Sequence, residues 1–280
     1  MAIVGAVQMC SGTDVDANLE KARRLVAEAV DNGARMVSLP ENFALLADRR
    51  EDLLACAEER LQDIESFLSA LAREHGIVLI GGSIPVPGHD TRRVFGCSIV
   101  YDADGNRLAH YEKIHLFDVT VAEGESYRES DYTAPGESIS VVSTDMARVG
   151  LSICYDMRFP ELYRRMASDG AELFSVPSAF TVPTGRAHWE VLLRARAIEN
   201  FCYVLAAAQY GQHANGRVTW GHSLICDPWG RVVACLPEGE GACVASLDLD
   251  ELYRIRERVP SLEHRRIGDG APPAAGPRVE

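Results

Sequence analysis

Apolar residues along this chain recur with two periods, one of about two residues, typical of strands, and one of about 3.6, typical of amphipathic helices. The first predicted strand covers residues 2–9. The helix that follows can be capped by Asp14 or Asp16, and Gly33 supplies its end. The alternation continues with strands at 35–41, 77–82, 94–101, 107–111, 171–176 and 202–208 and helices at about 50–74, 160–168 and 187–200.

Turn-forming residues divide several strands into hairpins. The segment 102–106 (Asp-Ala-Asp-Gly-Asn) predicts a turn between the strands on either side of it. A second hairpin is predicted at 139–153, and residues 227–230 form a turn between two further strands. Repeats of strand and helix mixed with hairpins imply a mixed sheet covered by helices, or two sheets face to face, with the strand order left open. The expected fold class is α/β.

The chain of 280 residues could hold two small domains, but we expect one, since large sheets often exceed the usual domain size. That domain is predicted to cover 1–267. Residues 268–280, rich in Pro, Gly and Ala, form a tail that is either disordered or laid across a partner subunit. No apolar run approaches the roughly 20 residues of a membrane span, and the N-terminus resembles a strand rather than an export signal. We therefore expect a cytoplasmic protein with no membrane partner.

Charge and cysteine content exclude several classes of partner and site. A formal net charge of −13 without a basic stripe argues against nucleic-acid binding. Any specificity for a carboxylate must then come from a few local cations. The eight cysteines include no Cys-x-x-Cys pair, so a zinc site, a redox motif and a disulfide framework are not expected. They are Cys10, Cys56, Cys97, Cys154, Cys202, Cys226, Cys235 and Cys243.

Cys154 ends an apolar, β-branched run and precedes a helical segment that begins with Pro160. A side chain between a strand and a helix lies near backbone N–H groups and the positive end of the helix dipole, which both favour a thiolate. This position suits a nucleophile. Simple apolar packing is the alternative interpretation.

A cysteine nucleophile also requires a proton acceptor and a donor that stabilises the oxyanion. Glu41 ends a buried strand, at the sheet edge where α/β sites usually form. Lys113 likewise follows a strand. Considered singly, Glu41 could cap the next element and Lys113 could be a solvated loop cation.

Three segments resemble, in order and spacing, the motifs of the nitrilase, or carbon-nitrogen hydrolase, superfamily. They are 39–43 (Leu-Pro-Glu-Asn-Phe), 113–117 (Lys-Ile-His-Leu-Phe) and 150–161 (Gly-Leu-Ser-Ile-Cys-Tyr-Asp-Met-Arg-Phe-Pro-Glu). The resemblance extends to about residue 266, so the domain at 1–267 is expected to be a single carbon-nitrogen hydrolase domain. Segments 177–180 and 187–199 look like the Nit branch, and 206–213 with 221–223 look more like deaminated glutathione amidases than ω-amidases.

The resemblance implies a four-layer α-β-β-α sandwich, usually dimerised through one helical layer, and a Glu-Lys-Cys triad. On this chain the triad is Glu41, Lys113 and Cys154, and a second glutamate often found in the site matches Glu129. Glu41 would serve as base and acid, and Lys113 with the Tyr155 backbone N–H would stabilise the oxyanion. Lys113 would also lower the pKa of the Cys154 thiol, and Glu129 would orient Lys113.

A substrate carboxylate requires a cation, and the arginines nearest the motifs in sequence are Arg128, Arg158 and Arg186. Arg186 stands where Nit relatives commonly carry proline, a departure that can alter the rim of the pocket. Arg158 can instead pair with Asp156. His188 is a further candidate for substrate binding, with packing as its alternative. The histidines lack ligand spacing, and neither a metal nor a cofactor is expected.

The expected function is hydrolysis of a small linear amide that bears a carboxylate, deaminated glutathione above all, to an acid and an amine through a cysteine thioester. An ω-amidase acting on 2-oxoglutaramate or 2-oxosuccinamate, a nitrile hydrolase and a catalytically silent interaction protein are the alternatives. The expected partners are the small-molecule substrate and a second copy of the chain in a homodimer.

Overall fold

The computed structural model of this chain describes residues 2–90, 92–122 and 125–267, and the predicted tail at 268–280 lies outside them. The helices of the described residues are α1 (Val15–Asp31), α2 (Arg50–Glu59), α3 (Leu61–His75), α4 (Pro160–Ser168), α5 (Val182–Asn200) and α6 (Leu249–Arg258). None of the described helices combines the length and apolar character needed to cross a bilayer.

The strands of the described residues follow in chain order. The first nine are β1 (Ala2–Met9), β2 (Met36–Ser38), β3 (Val78–Ile80), β4 (Ile84–Pro87), β5 (Val94–Tyr101), β6 (Arg107–Glu112), β7 (Asp118–Ala122), β8 (Glu125–Arg128) and β9 (Val141–Ser143). The others are β10 (Arg148–Leu151), β11 (Leu173–Ser175), β12 (Tyr203–Ala206), β13 (Ala208–Gln212), β14 (Val218–Trp220), β15 (Ser223–Cys226), β16 (Val232–Leu236) and β17 (Gly241–Leu247).

These strands form two large mixed sheets and one small ribbon. The first sheet has the order β14-β13-β1-β2-β3-β5-β4, with β17 paired to β1 and β6 paired to β5. The second has the order β16-β15-β12-β11-β10-β9, and β7 and β8 pair with each other. Strands β1, β2 and β3 run parallel, as do β10, β11 and β12. The carboxyl ends of both parallel groups can therefore contribute side chains to one site.

The two sheets pack face to face between helices. Along β1, Val4 and Ala6 belong to the apolar cluster shared with the second sheet, whereas Val7 and Met9 belong to the cluster shared with α1 and α3. The outer face of the second sheet is covered by α4 and α5, through side chains such as Tyr163. This layering confirms the predicted α/β fold and the four-layer α-β-β-α sandwich.

The local predictions agree with the structure at several turns and caps. Asp14 caps α1 by accepting a hydrogen bond from the Ala17 backbone N–H at 3.1 Å. The hairpin β5–β6 surrounds the predicted turn, and β9 pairs antiparallel with β10 within 139–153. The turn at 227–230 joins β15 to β16. These features depend on neighbouring residues, so the sequence predicts them well.

The helix predicted at about 50–74 is wrong as one element, because the chain breaks it at Arg60 into α2 and α3. The Arg60 guanidinium forms ion pairs with Asp16 in the first turn of α1 and with Asp63 in α3. The break lets α2 pack near β4 while α3 buries residues such as Leu68 near β3. The apolar residues keep a helical spacing across the break, so the sequence pattern does not reveal that the chain changes direction there.

The strand predicted at 202–208 is likewise two strands in different sheets. β12 pairs with β11 in the second sheet, whereas β13 pairs with β1 in the first. The crossing occurs at Ala207, which is fully buried and whose carbonyl accepts a hydrogen bond from the Ser178 N–H at 2.9 Å. Both strands are buried, so the apolar run in the sequence continues from β12 into β13 although the two strands belong to different sheets.

Helix α5 begins at Val182, five residues before the predicted start at 187. Pro183 lies in its first turn, where proline costs no hydrogen bond. Gly185 follows, and a Cβ atom built there would stand 2.2 Å from the Trp220 ring. The glycine is therefore required by the close approach of β14, not by a loop.

Candidate active site

Three of the predicted site residues follow strands that end near one another. Glu41 lies beyond β2, Lys113 comes directly after β6, and Cys154 comes after β10. All three side chains line one cavity of about 180 Å³. Glu41 is 5% exposed, Lys113 2% and Cys154 7%, so a reaction among them would take place largely out of bulk water.

Lys113 connects two carboxylates inside this cavity. Its Nζ atom donates to Glu41 Oε1 at 2.8 Å and to Glu129 Oε1 and Oε2 at 2.9 and 3.0 Å. Burial by itself would lower the pKa of the Lys113 ammonium, but the charges of Glu129 and Glu41 outweigh burial and hold this pKa well above its ordinary value. Lys113 is therefore a permanent cation in the site.

Glu129 lies in a short 3-10 turn that follows β8. Its Oε2 atom accepts a hydrogen bond from the Phe117 backbone N–H at 2.6 Å, in addition to the contacts with Lys113. Burial, together with the charge of Glu41, raises the pKa of the Glu129 carboxyl, while the Lys113 ammonium lowers it. Glu129 thus fixes the direction in which the Lys113 side chain points.

Cys154 occupies a strained backbone position on a separate 3-10 turn at Cys154–Arg158. Its φ is +49°, in the left-handed region that residues with a Cβ seldom adopt. The Cys154 backbone N–H donates to the Pro177 carbonyl at 2.9 Å, which helps to hold this conformation. This turn separates Cys154 from α4, so the thiol does not lie directly at the positive end of that helix, next to which the sequence placed it.

The thiol of Cys154 is protonated at rest. Burial and the charge of Glu41 raise its pKa, and the thiol donates a hydrogen bond to the Glu41 carboxylate. Lys113 and the Ala179 backbone N–H act in the opposite direction but are outweighed. The expected lowering of the thiol pKa by Lys113 is therefore present, but burial disfavours the anion more than one cation favours it, so the net shift of this pKa is upward.

Asp156 holds the Cys154 turn against the segment that carries Lys113. Fully buried, its carboxylate accepts hydrogen bonds from the Ile153 N–H at 2.9 Å and the Tyr111 hydroxyl at 2.7 Å. It also contacts the His115 N–H at 3.0 Å and His115 Nδ1 at 2.7 Å. Sequence reasoning proposed Asp156 as a partner of an arginine, whereas the structure shows it joining the two motifs.

Tyr155 lines the same cavity as Cys154. Its ring contacts Phe117 edge to face, with the ring centroids 5.2 Å apart. The Arg158 guanidinium lies 5.8 Å from the Tyr155 centroid and 5.7 Å from that of Phe180, and its Nη2 atom is 3.3 Å from His188 Nδ1. Arg158 is thus packed on two side chains of the cavity wall.

Arg186 and His188 lie around a different cavity, of about 210 Å³, together with Trp220 and His222. Both are exposed, and the Arg186 guanidinium stands 5.9 Å from the Trp220 ring centroid. The Trp220 and His222 rings stack at 4.1 Å. The structure therefore brings Glu41, Lys113, Glu129, Cys154 and Tyr155 together, but not these two residues.

Several polar residues of the cavity were not among the sequence candidates. Among them are Asn42, Tyr127, Tyr132, Thr133, Asn215 and Arg217. Arg217 lies in the hairpin between β13 and β14, far in sequence from the three motifs. The only feature of the nearby sequence that marks Arg217 is its position after an Asn-Gly turn, and a cation at such a turn is common on protein surfaces. In the described ranges, no group of three His, Cys, Asp or Glu side chains is arranged to hold a metal.

Comparison with known proteins gives consistent matches. Residues 3–257 match the family model described as carbon-nitrogen hydrolase. The deaminated glutathione amidase of Rattus norvegicus is 44% identical over 268 residues, covering 94% of this chain and 82% of that protein. The protein of the same name from Synechocystis sp. strain PCC 6803 is 42% identical over 266 residues, covering 94% and 97%.

A solved structure extends this likeness to three dimensions. The crystal structure of Saccharomyces cerevisiae Nit3, a member of branch 10 of the nitrilase superfamily, matches with a TM-score of 0.85 at 33% identity, covering 95% of this chain and 97% of that one. The family match and the identity with named amidases agree on one kind of reaction. The chain belongs to the carbon-nitrogen hydrolase family, in the Nit branch of the nitrilase superfamily, and is a hydrolase of carbon–nitrogen bonds other than peptide bonds.

Proposed function

We propose that the chain is an amidase in which Glu41, Lys113 and Cys154 form the catalytic triad. The observation that carries this proposal is the contact of the Glu41 carboxylate with both the Cys154 thiol and the Lys113 ammonium inside one cavity. A nucleophile, a base and a cation within hydrogen-bonding reach are the groups that acyl transfer to a thiol requires.

Attack begins from the neutral thiol. Glu41 accepts the Cys154 proton as the sulfur bonds to the amide carbonyl carbon, and Lys113 with the Tyr155 N–H stabilises the negative oxygen. Glu41 then donates its proton to the nitrogen, the C–N bond breaks, and the amine leaves. A water molecule, activated by Glu41, attacks the thioester, so the acid is released and the thiol is restored.

Glu129 acts as a positioning residue in this scheme. Its two oxygens bind the Lys113 ammonium, and the Phe117 N–H fixes one of them. With Glu129 in place, the ammonium stays charged while Glu41 gains and loses a proton. The role of Glu129 is thus to keep the Lys113 ammonium charged and in place, so that it can stabilise the oxyanion throughout the reaction cycle.

The proposed substrate is deaminated glutathione, a linear amide that bears carboxylates. Two relatives that cover nearly all of this chain carry the name deaminated glutathione amidase, and this is what supports the assignment. Cleavage would release an amine and leave the acyl part on Cys154 as a thioester. The ω-amides of 2-oxo acids are less favoured, because no relative cited above is named for them.

The test is hydrolysis by the purified protein of deaminated glutathione and, in parallel, of 2-oxoglutaramate. We expect faster hydrolysis of the first, and a transient mass increase on Cys154 that equals the acyl part of the substrate. The Cys154→Ser variant should show neither. Activity on 2-oxoglutaramate alone would overturn the substrate assignment, and inactivity on both with no acyl adduct would overturn the amidase proposal.

The proposal includes a homodimer formed through the helical layer that contains α5. Val191 and Ile198 of α5 are 67% and 47% exposed, and Trp229, next to Gly230, is 50% exposed. A Cβ atom built at Gly230 would meet Ile198 at 2.3 Å, so this turn lies against the same helix face. Ile198→Glu should convert a dimer to a monomer in light scattering, whereas Leu108→Glu, on an exposed position of β6, should not.

A cytoplasmic location and a single domain over 1–267 also belong to the proposal. All eight cysteines are free, as expected of a reducing compartment. The strands β1, β2 and β3 contribute to both apolar clusters, which supports one cooperative unit. A chain that ends at residue 267 should keep its activity and unfold in one transition, and subcellular fractionation tests the location.

A further inference from the structure

Arg217 is a cavity residue that the proposed chemistry does not use. It lies between β13 and β14 and lines the cavity that contains Cys154. One of its terminal nitrogens, Nη2, donates to the Ala179 carbonyl, and its guanidinium stands 5.3 Å from the Tyr127 ring centroid. Its Nε atom is buried and has no hydrogen-bond partner among the described residues.

The other cations of this cavity differ from Arg217. Lys113 pairs with two carboxylates and Arg49 pairs with Asp52 at 2.8 Å. Arg50 has no ion pair among the described residues either, but its Nε donates to the Arg92 carbonyl at 3.1 Å. For Arg217 no ion pair is found within the described ranges, where Ala179 supplies a neutral oxygen. A buried N–H without an acceptor is unfavourable, so this arginine has an unmet requirement that an anionic ligand would satisfy.

The position of Arg217 relative to the nucleophile is set by Ala179. The N–H of Ala179 is hydrogen-bonded to the Cys154 sulfur, and its carbonyl accepts the hydrogen bond from Arg217. One residue and two hydrogen bonds thus separate the sulfur from the guanidinium, a distance of about 10 Å at most.

An acyl chain of five carbons matches this separation. About 5 Å lies between its thioester carbon and a carboxylate carbon at the other end, and the C–S bond with one hydrogen bond adds roughly 5 Å more. A guanidinium binds a carboxylate with two parallel N–H groups, which Lys cannot reproduce. Five-carbon and shorter four-carbon acyl groups therefore both fit.

We propose that Arg217 binds the carboxylate at the far end of the acyl part of the substrate, and so distinguishes amides that carry this carboxylate from amides of the same length that do not. The inference rests on the proposed function for its kinetic consequence. The Nε–H supplies one hydrogen bond and a terminal N–H supplies another, while Nη2 keeps its contact with Ala179. Arg217 is in this view a residue of substrate specificity that leaves the bond-breaking step to Glu41, Lys113 and Cys154.

The kinetic test compares glutaric monoamide with pentanamide, which has the same chain length but no carboxylate. Arg217→Gln should raise KM for the monoamide by between tenfold and a hundredfold, roughly the effect of a charge-assisted hydrogen bond. Its kcat/KM for pentanamide should match that of the unmodified protein. Arg217→Lys should show a smaller rise in KM for the monoamide than Arg217→Gln. Arg165→Gln, at an exposed position of α4, should leave the kinetic constants for both substrates unchanged.

A second measurement does not depend on turnover. Glutarate should protect Cys154 from alkylation by iodoacetamide in the unmodified protein and in Arg165→Gln, but not in Arg217→Gln, whereas pentanoate should protect none of them. Equal losses on both amides, or protection by glutarate without Arg217, would overturn the inference. If no amide is hydrolysed but glutarate still protects through Arg217, the proposed function fails while the carboxylate site stands.

Discussion

The Nζ atom of Lys113 lies 2.8 Å from Oε1 of Glu41, and the two side chains are 3% and 7% exposed. An ion pair so well shielded from solvent is strongly coupled, because removing Lys113 would leave the Glu41 carboxylate buried without a counter-charge. Since the same Glu41 carboxylate also accepts a hydrogen bond from the Cys154 thiol, the pair links the base of the proposed reaction to its proposed oxyanion donor.

Replacement of Lys113 by Met tests this link. We expect kcat to fall by about 10²- to 10³-fold, the usual effect of removing an oxyanion donor, since Met retains the length but no charge. Lys21→Met, which removes a partly exposed ammonium near Glu240, should leave kcat unchanged. Steady-state kinetics on folded samples, checked by circular dichroism, measures the change. More than a tenth of the original kcat in Lys113→Met would contradict the oxyanion role.

Replacement of Glu41 by Gln should have opposite effects on turnover and on thiol ionisation. Amide hydrolysis should be lost, because Gln cannot accept the Cys154 proton. The pKa of the thiol should fall, because the negative charge of Glu41 is one of the groups that raise it. The midpoint of the pH profile for iodoacetamide alkylation, with the product located by mass spectrometry, should therefore move to lower pH. An unmoved midpoint would show that Glu41 does not affect the thiol.

Replacement of Asp156 by Ala should loosen the contact between the two motifs. The Ile153 N–H, the Tyr111 hydroxyl and the His115 groups would lose their acceptor, which we expect to lower the free energy of unfolding by about 2–4 kcal/mol. Denaturant titration measures this quantity. Asp169→Asn, at an exposed position beside Arg165, should change it by less than about 0.5 kcal/mol.

An additional readout separates positioning from general loss of stability in Asp156→Ala. In protein that is still folded, alkylation of Cys154 should change in rate while alkylation of the exposed Cys235 should not. Equal rates at Cys154 before and after the substitution would argue against a positioning role.

Replacement of Gly185 by Ala should destabilise the junction of α5 with β14. Alanine favours a helix over glycine by about 1 kcal/mol, but its Cβ would stand 2.2 Å from Trp220 Cγ. We expect the overlap to dominate, with a net cost of about 1–3 kcal/mol measured as a lower Tm. Gly12→Ala is the control, since a Cβ there meets nothing within 4 Å. A Tm equal to that of the control would mean that Trp220 moves without cost.

Much of the candidate site could be predicted because three segments resemble the carbon-nitrogen hydrolase motifs. Glu41, Lys113 and Cys154 each follow a predicted strand, but it is this resemblance that singles the three out together, and all three line one cavity. Arg217 could not be found in this way, because the Asn-Gly turn before it is typical of any hairpin. It lines the cavity because the chain leaves the second sheet after β12 and continues as β13, which pairs with β1.

The sequence by itself determined the alternation of strands and helices, a helix cap at Asp14 or Asp16 and the hairpins, because these depend on neighbours a few positions apart. The candidate residues of the site were indicated by the resemblance of three segments to the carbon-nitrogen hydrolase motifs. Tertiary structure alone decided the division of the helix at Arg60, the role of Asp156 and the direction of the Cys154 pKa. The physical reason is that burial and electrostatic interaction are set by groups distant in the chain. Only folding determines which of these groups surround a thiol, and therefore whether it rests protonated.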